Sequence, residues 1–214
     1  MAESEVKRMS MIIRVLRRHY PEAKCSLNFK TPFQLLVSTI LSAQCTDDRV
    51  NRVTPALFKK FPGPKEMAGA DLKEIERLIQ STGFFRSKAR SILEASCSIV
   101  EKHGGEVPGD LDSLIKLRGV GRKTANVVLG TVFSVPGLVV DTHVGRISRR
   151  MGFTRSHDPE KVEQELMRIV SRKDWVEYSH LLIAHGREVC TARRAYCEDC
   201  PIRNYCPKVG VLNS

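Results

Sequence analysis

Apolar positions recur at helical spacing along nearly the whole chain, and the alternation that marks a strand is almost absent. The opening "MAESEVKRMSMIIRVLRRHY" reads as an amphipathic helix. Thr31-Pro32-Phe33-Gln34 forms a capping box with proline at the first helical position. It opens "PFQLLVSTILSA", whose nearly continuous apolar run predicts a buried central helix. Thr46 or Asp47 caps the next helix, which Pro55 is expected to kink or divide. Asp71 with Glu74 starts "LKEIERLIQS", and Gly83 stops it. "RSKARSILEASCSIVEKH" predicts a long helix ended by Gly104-Gly105. Asp110, Asp141 and Asp158 cap further helices, and "DWVEYSHLLIAHGREV" supplies another. "GLVV" at 137–140 is too short to carry a sheet. The pattern predicts an all-α fold of about ten helices, punctuated in the middle by Pro136-Gly137, with no internal repeat.

Charge adds a partner class. Lys plus Arg number 35 against 24 Asp plus Glu, a formal charge of +11 and a sequence pI near 9.5. Such an excess favours a polyanion, nucleic acid above all, although a charge serving solubility alone gives the same total. No run is long and apolar enough for a membrane span, and the N-terminus lacks a signal-peptide core. A cytoplasmic, nucleoid-associated protein without membrane contact is expected. In that compartment thiols stay reduced, which argues against a disulfide framework for the seven cysteines.

Four of those cysteines, Cys190, Cys197, Cys200 and Cys206, form the pattern C-x6-C-x2-C-x5-C. Thiolates so close need a shared cation, so a metal centre is expected. The layout has one C-x2-C pair and two outlying cysteines, which suits a cubane iron–sulfur cluster slightly better than a zinc ribbon and leaves both open. Arg193 and Arg194 sit inside this segment, where a pinned loop would present them to phosphates. Cys25, Cys45 and Cys97 are scattered in apolar contexts and read as small buried hydrophobes.

"LRGVGRKTANVV", Leu117 to Val128, is neither a Walker loop nor a dinucleotide fingerprint. Helix, tight hairpin, helix is the local reading. Gly119-Val120-Gly121 lets backbone N–H groups approach an anion, and the helix beginning near Arg122 adds its positive end, a grip for a DNA phosphate. Lys123 is out of place for a cation, because it sits at a helix N-terminus. The helix end and Arg122 both disfavour its charged form, and a neutral amine is a nucleophile. Asp141 in "VVDTHVGR" reads first as an N-cap. Capping also holds a carboxylate ionised, ready to steady positive charge on a sugar. His143, His180 and His185 read as structural or phosphate-adjacent, because the last two are five apart and not the four that helical metal ligands need.

Together "LRGVGRKTANVVLG", "VVDTH", the cysteine pattern, "LLVSTILSAQCTDDRVN" and "STGFFRSKA" resemble the helix-hairpin-helix DNA glycosylases of the endonuclease III type, from about Leu27 to Cys206. The resemblance implies two helical lobes flanking a DNA-binding cleft. One is a six-helix barrel at 24–135; the other joins 1–23 to 136–214 and carries a [4Fe–4S] cluster on Cys190, Cys197, Cys200 and Cys206. It implies Lys123 as catalytic nucleophile and Asp141 as catalytic carboxylate. Gln44 would fill the gap left by an extruded base, and Phe84, bulkier than the aliphatic wedge frequent in relatives, would press on the opposite strand. Gly119, Val120, Gly121, Arg122, Thr124, His143, Arg193 and Arg194 complete the expected DNA contacts. The implied protein is a monomeric glycosylase and abasic-site lyase acting on double-stranded DNA with oxidised pyrimidines or abasic sites. A mismatch glycosylase for thymine, uracil or adenine, a non-catalytic DNA-binding module and an iron–sulfur redox sensor are the alternatives.

Overall fold

The computed structural model describes residues 2–211. It holds eleven α-helices and three 3₁₀ turns, with no strand among the described residues beyond a single bridge between Cys190 and Ala195. The chain divides into two units, Ser26–Val135 and the pair Met1–Cys25 with Pro136–Ser214. No described helix is long and apolar enough to cross a membrane.

α1 (Ala2–His19) buries Met9, Ile12, Ile13 and Leu16, one face at helical spacing. The Ser26–Val135 unit comes next along the chain. Its centre is α2 (Pro32–Leu41), buried from Leu35 through Leu41. Thr31 accepts from the Gln34 amide, but the Gln34 side chain reaches back to the Lys30 amide and not to Thr31's own, so the capping box closes one residue early. Thr46 caps α3 (Asp47–Lys60), which runs unbroken through Pro55. The expected division does not occur. Pro55 is exposed, so water can serve the carbonyl of Asn51 that loses its amide donor. α4 (Pro64–Ala68) is not among the predicted helices; Pro64 stands at its first position, but its N-cap is a glycine with no side-chain oxygen. α5 (Leu72–Ile79) is capped by Asp71 and continues into a 3₁₀ turn, Gln80–Thr82.

α6 (Phe85–Lys102) packs against α4, α5 and α2, and α8 (Arg122–Val132) packs on α2. Between them α7 (Leu111–Leu114) is one turn, capped by Asp110. Leu114 and Leu117 are buried but Ile115 is 45% exposed, so the apolar pattern there belongs to a turn and not to a continuous helix face.

In the other unit α9 (Thr142–Arg150), α10 (Pro159–Met167) and α11 (Trp175–Glu188) surround a core of Met9, Leu16, Ile147, Leu166, Tyr178 and Leu182. Tyr178 is fully buried and its hydroxyl meets Ser148 Oγ at 3.2 Å, which removes the cost of burying an unpaired hydroxyl. Arg17 of α1 ties to α11 through two bonds to the Glu177 carboxylate and one to Asp174.

Candidate active site and cysteine pocket

The hairpin is set by a contact that only glycine permits. Gly119 has φ +78, and a β-carbon there would stand 2.7 Å from Ser91 Cβ on α6. Val120 is buried and its N–H bonds the Leu117 carbonyl. Val120 therefore anchors the hairpin and does not present its amide to a ligand. Gly121 is the N-cap of α8, with open space where a side chain would be and no capping oxygen. α2, α3, α5, α7, α9 and α10 all carry a side-chain cap. The first-turn amides of Lys123 and Thr124 have no intrahelical carbonyl to bond, and the first turn of α8 holds no acid. Such an end attracts an external anion.

Lys123 is exposed on that turn, beside exposed Arg122 and half-buried Thr124. None of the ion pairs among the described residues involves Lys123. In the same unit Gln44 and Phe84 are both exposed and both hold left-handed backbone, φ 52 and 46. Phe84 is 70% exposed, an unusual position for a phenyl ring in water. Sequence reasoning missed the residue behind these two turns, Lys88. It carries a signal: Lys88, Ile92, Ala95 and Ile99 share the spacing of one buried stripe, so a lysine interrupts an apolar face.

In the second unit Asp141 caps α9, accepting from the Val144 amide at 2.8 Å, and is half-buried. His143 stands two residues on. Burial pushes it below the ordinary histidine value of 6.5, against the raising effect of Asp141, so the neutral ring is favoured. The guanidinium of Arg146 donates to His143 Nδ1 at 3.2 Å and to the carbonyls of Gly186 and Cys190 at 3.2 and 2.9 Å. This joins the start of α9 to the cysteine segment. Gly186 makes room for the arrangement, since a β-carbon there would lie 2.5 Å from His143 Nδ1. Arg193 and Arg194 are exposed in the cysteine segment, with Arg194 5.0 Å from the centre of the Tyr196 ring.

Cys190, Cys197, Cys200 and Cys206 line one pocket, together with Ile147, Met151 and His185. None of the four is in a disulfide. Among the described residues no three His, Cys, Asp or Glu converge as ligands of one metal ion; the cysteines instead spread around the pocket wall. Burial pushes the Cys200 thiol up to about 11, and its cysteine neighbours add to the shift. Thiolates here need positive charge inside the pocket. Arg150 donates to Cys190 Sγ at 3.2 Å, and His185 Nε2 lies 3.7 Å from Cys200 Sγ. Soft donors, an apolar wall and outer hydrogen bonds to sulfur fit a thiolate-bound metal centre.

Residues 37–172 match the model of the HhH-GPD superfamily of base excision DNA repair proteins. Endonuclease III of Synechocystis sp. is 50% identical over 205 residues, which covers 95% of this chain and 94% of that protein. The solved structure of a non-covalent endonuclease III–DNA complex superposes with a TM-score of 0.90 at 42% identity, covering 95% of each chain. A trapped endonuclease III–DNA covalent intermediate matches at the same TM-score and identity, covering 95% of this chain and 96% of that one. A helix-hairpin-helix built on a forbidden β-carbon, an uncapped helix end carrying a lysine, and identity over nearly the full length agree: the chain belongs to the endonuclease III family within the HhH-GPD superfamily.

Proposed function

We infer that this protein is a DNA glycosylase and abasic-site lyase of base excision repair, that it releases oxidised pyrimidines, and that it then cuts the strand through a lysine Schiff base. The observation that carries the reading is Lys123, exposed on the uncapped first turn of α8 directly after the Gly119–Gly121 hairpin. A DNA phosphate gripped by the hairpin brings the deoxyribose of the damaged nucleotide to this amine. Gln44 and Phe84 enter the duplex as the nucleotide leaves the stack.

The neutral amine of Lys123 bonds to C1′ as the C1′–N bond to the base breaks, and the base takes the electron pair and a proton. Asp141, whose carboxylate accepts from the Val144 amide at 2.8 Å, opposes the positive charge that develops on the sugar, and the proton carried by the newly bonded nitrogen passes to water. Ring opening gives an iminium between Nζ and C1′. Loss of a proton from C2′ expels the 3′ phosphate, which is β-elimination, and water then releases the lysine. Among relatives a covalent endonuclease III–DNA intermediate has been trapped, which agrees with this course.

Cys190, Cys197, Cys200 and Cys206 would hold a [4Fe–4S] cluster. Such a cluster supplies cationic cross-linking of the segment and leaves the covalent chemistry to the side chains. The segment then presents Arg193 and Arg194 to phosphates of double-stranded DNA, and the protein works as a monomer.

Borohydride reduction on a duplex with one abasic site or one oxidised pyrimidine tests the reading. Wild-type protein is expected to give a covalent adduct and Lys123→Ala none, with damaged-DNA binding retained. Tight binding without an adduct in the wild type would leave a DNA clamp and no enzyme.

A further inference from the structure

Lys88 is a buried cation that this chemistry does not use. It is 6% exposed, and its ammonium donates to the carbonyls of Leu41 at 2.8 Å and Thr82 at 2.7 Å. Both acceptors end a helical segment: Leu41 closes α2, and Thr82 closes the 3₁₀ turn before Gly83. Carbonyls at such ends lack helical donors and carry the negative end of the peptide dipoles. A single buried ammonium satisfies two of them where a neutral side chain would leave them stranded.

Each of these carbonyls lies just ahead of an expected insertion residue. Gln44 stands three residues after Leu41, and Phe84 two after Thr82. Both hold left-handed backbone, a conformation that a non-glycine residue keeps only when its surroundings enforce it. The backbone N–H of Lys88 also bonds the Phe84 carbonyl at 3.1 Å. One residue thus fixes the Phe84 turn from two directions and ties it to the Gln44 turn.

We propose that Lys88 is a positioning residue for nucleotide extrusion: its ammonium locks the Leu41–Gln44 and Thr82–Phe84 segments into one rigid piece, so that Gln44 and Phe84 enter the duplex together. The proposal rests on the reading of Gln44 and Phe84 as the inserted side chains. Lys88 itself touches neither DNA nor the reacting atoms. Its removal frees the two turns to relax independently, and each insertion then has to be ordered at the moment of binding.

The test compares Lys88→Met, Phe84→Ala and the double variant on a lesion duplex with 2-aminopurine beside the lesion. Lys88→Met is expected to slow extrusion, read as fluorescence rise, by about tenfold, the loss of two charge-assisted hydrogen bonds. It is expected to keep wild-type borohydride trapping on a single-stranded abasic oligonucleotide, where nothing has to be extruded. The double variant should be no slower than the slower single variant, because both act on one step. Additive losses, or equal losses in extrusion and single-strand trapping, would overturn the proposal and make Lys88 a general stabiliser. If Lys88→Met does not fold, Lys88→Arg, which keeps the charge but misplaces the donors, takes its place with the same outcomes. Extrusion unchanged in Phe84→Ala and Gln44→Ala would instead defeat the reading of the insertion residues, whatever Lys88 does.

Discussion

Gly119 packs against Ser91 so closely that a β-carbon added to the glycine would lie 2.7 Å from the β-carbon of the serine. Gly121, two residues on, has nothing within 4 Å of where its β-carbon would be. The fold therefore demands glycine at 119, whereas at 121 it does not, and in the proposed function the second glycine leaves room for a phosphate. Gly119→Ala is expected to destabilise the protein by about 2 kcal/mol, from a positive φ and a clash combined. Gly121→Ala should leave the urea midpoint near wild type and weaken duplex binding, because its methyl group stands where a phosphate approaches. Equal behaviour of the two variants would show that the hairpin is not divided in this way.

Asp141 caps α9 and, in the proposed mechanism, opposes charge on the sugar; one substitution separates the two roles. Its carboxylate caps α9 through the Val144 amide at 2.8 Å, and asparagine keeps an oxygen able to do the same. Asp141→Asn is expected to retain the wild-type Tm and to slow base release by orders of magnitude. Asp141→Ala should also lose about 1 kcal/mol of stability as the cap disappears. Single-turnover rates beside thermal melts decide the matter; full base release in Asp141→Asn would leave the residue a cap and nothing more.

The caps explain why so much of the helical order is readable from sequence. Thr31, Thr46, Asp71, Asp110, Asp141 and Asp158 each bond an amide two or three residues ahead, so residue type and position carry the signal together. What is not legible depends on distant partners. Pro55 is accepted inside α3 because that side of the helix is exposed, and α4 has no polar cap to announce it. The need for glycine at 119 is readable as a turn, but Ser91, which makes the need absolute, lies 28 positions away in sequence. Lys88 visibly interrupts the apolar stripe of Ile92, Ala95 and Ile99, but its task is not legible, because its carbonyl acceptors come from residues 41 and 82. The cysteine spacing leaves zinc and iron–sulfur open, and the pocket that the four thiols line does not by itself choose between them.

Arg193 and Arg194 differ in how their charge is held. Arg194 is positioned over Tyr196 at 5.0 Å, and its backbone is pinned to the Thr191 hydroxyl. Both are expected to contact phosphates, so replacing either by alanine should flatten the slope of log affinity against log salt by about 0.9. Tyr196→Ala should weaken binding through Arg194 while leaving the slope near wild type, since the charge remains. An unchanged slope in both arginine variants would place the pair off the DNA surface.

Acid should destabilise the fold through buried and half-buried histidines that favour the neutral form. Burial holds His180 below its ordinary value of 6.5, and His143 and His185 move the same way, His185 to about 4. A depressed folded-state value means that the unfolded chain binds the proton first. The stability from these groups is complete above about pH 6.5 and falls as the pH drops below it. His180→Gln is expected to reduce, without abolishing, the loss in urea midpoint between about pH 7.5 and about pH 5.5. An identical loss in the variant would show that His180 does not share in it.

The cysteine segment is fastened to α9 mainly through Arg150. Its side chain donates to Cys190 Sγ and to the Thr191 carbonyl, and its own carbonyl accepts from the Val209 amide and from Cys206 Sγ at 3.5 Å. These bonds close the segment at both ends, and the four thiols face the pocket between them. Buried thiols gain little from one another, and thiolates repel, so the middle of the segment should depend on bound metal. Stripping the metal under oxidising conditions is expected to raise hydrogen exchange across 190–206 and to weaken duplex affinity, while exchange within Ser26–Val135 stays as before. Cys197→Ser should do the same more mildly, and Arg150→Met should loosen both ends of the segment even with metal present. Protein that contains zinc in place of iron and sulfide would reject the cluster, and unchanged exchange after stripping would show that the hydrogen bonds of Arg150 hold the segment alone.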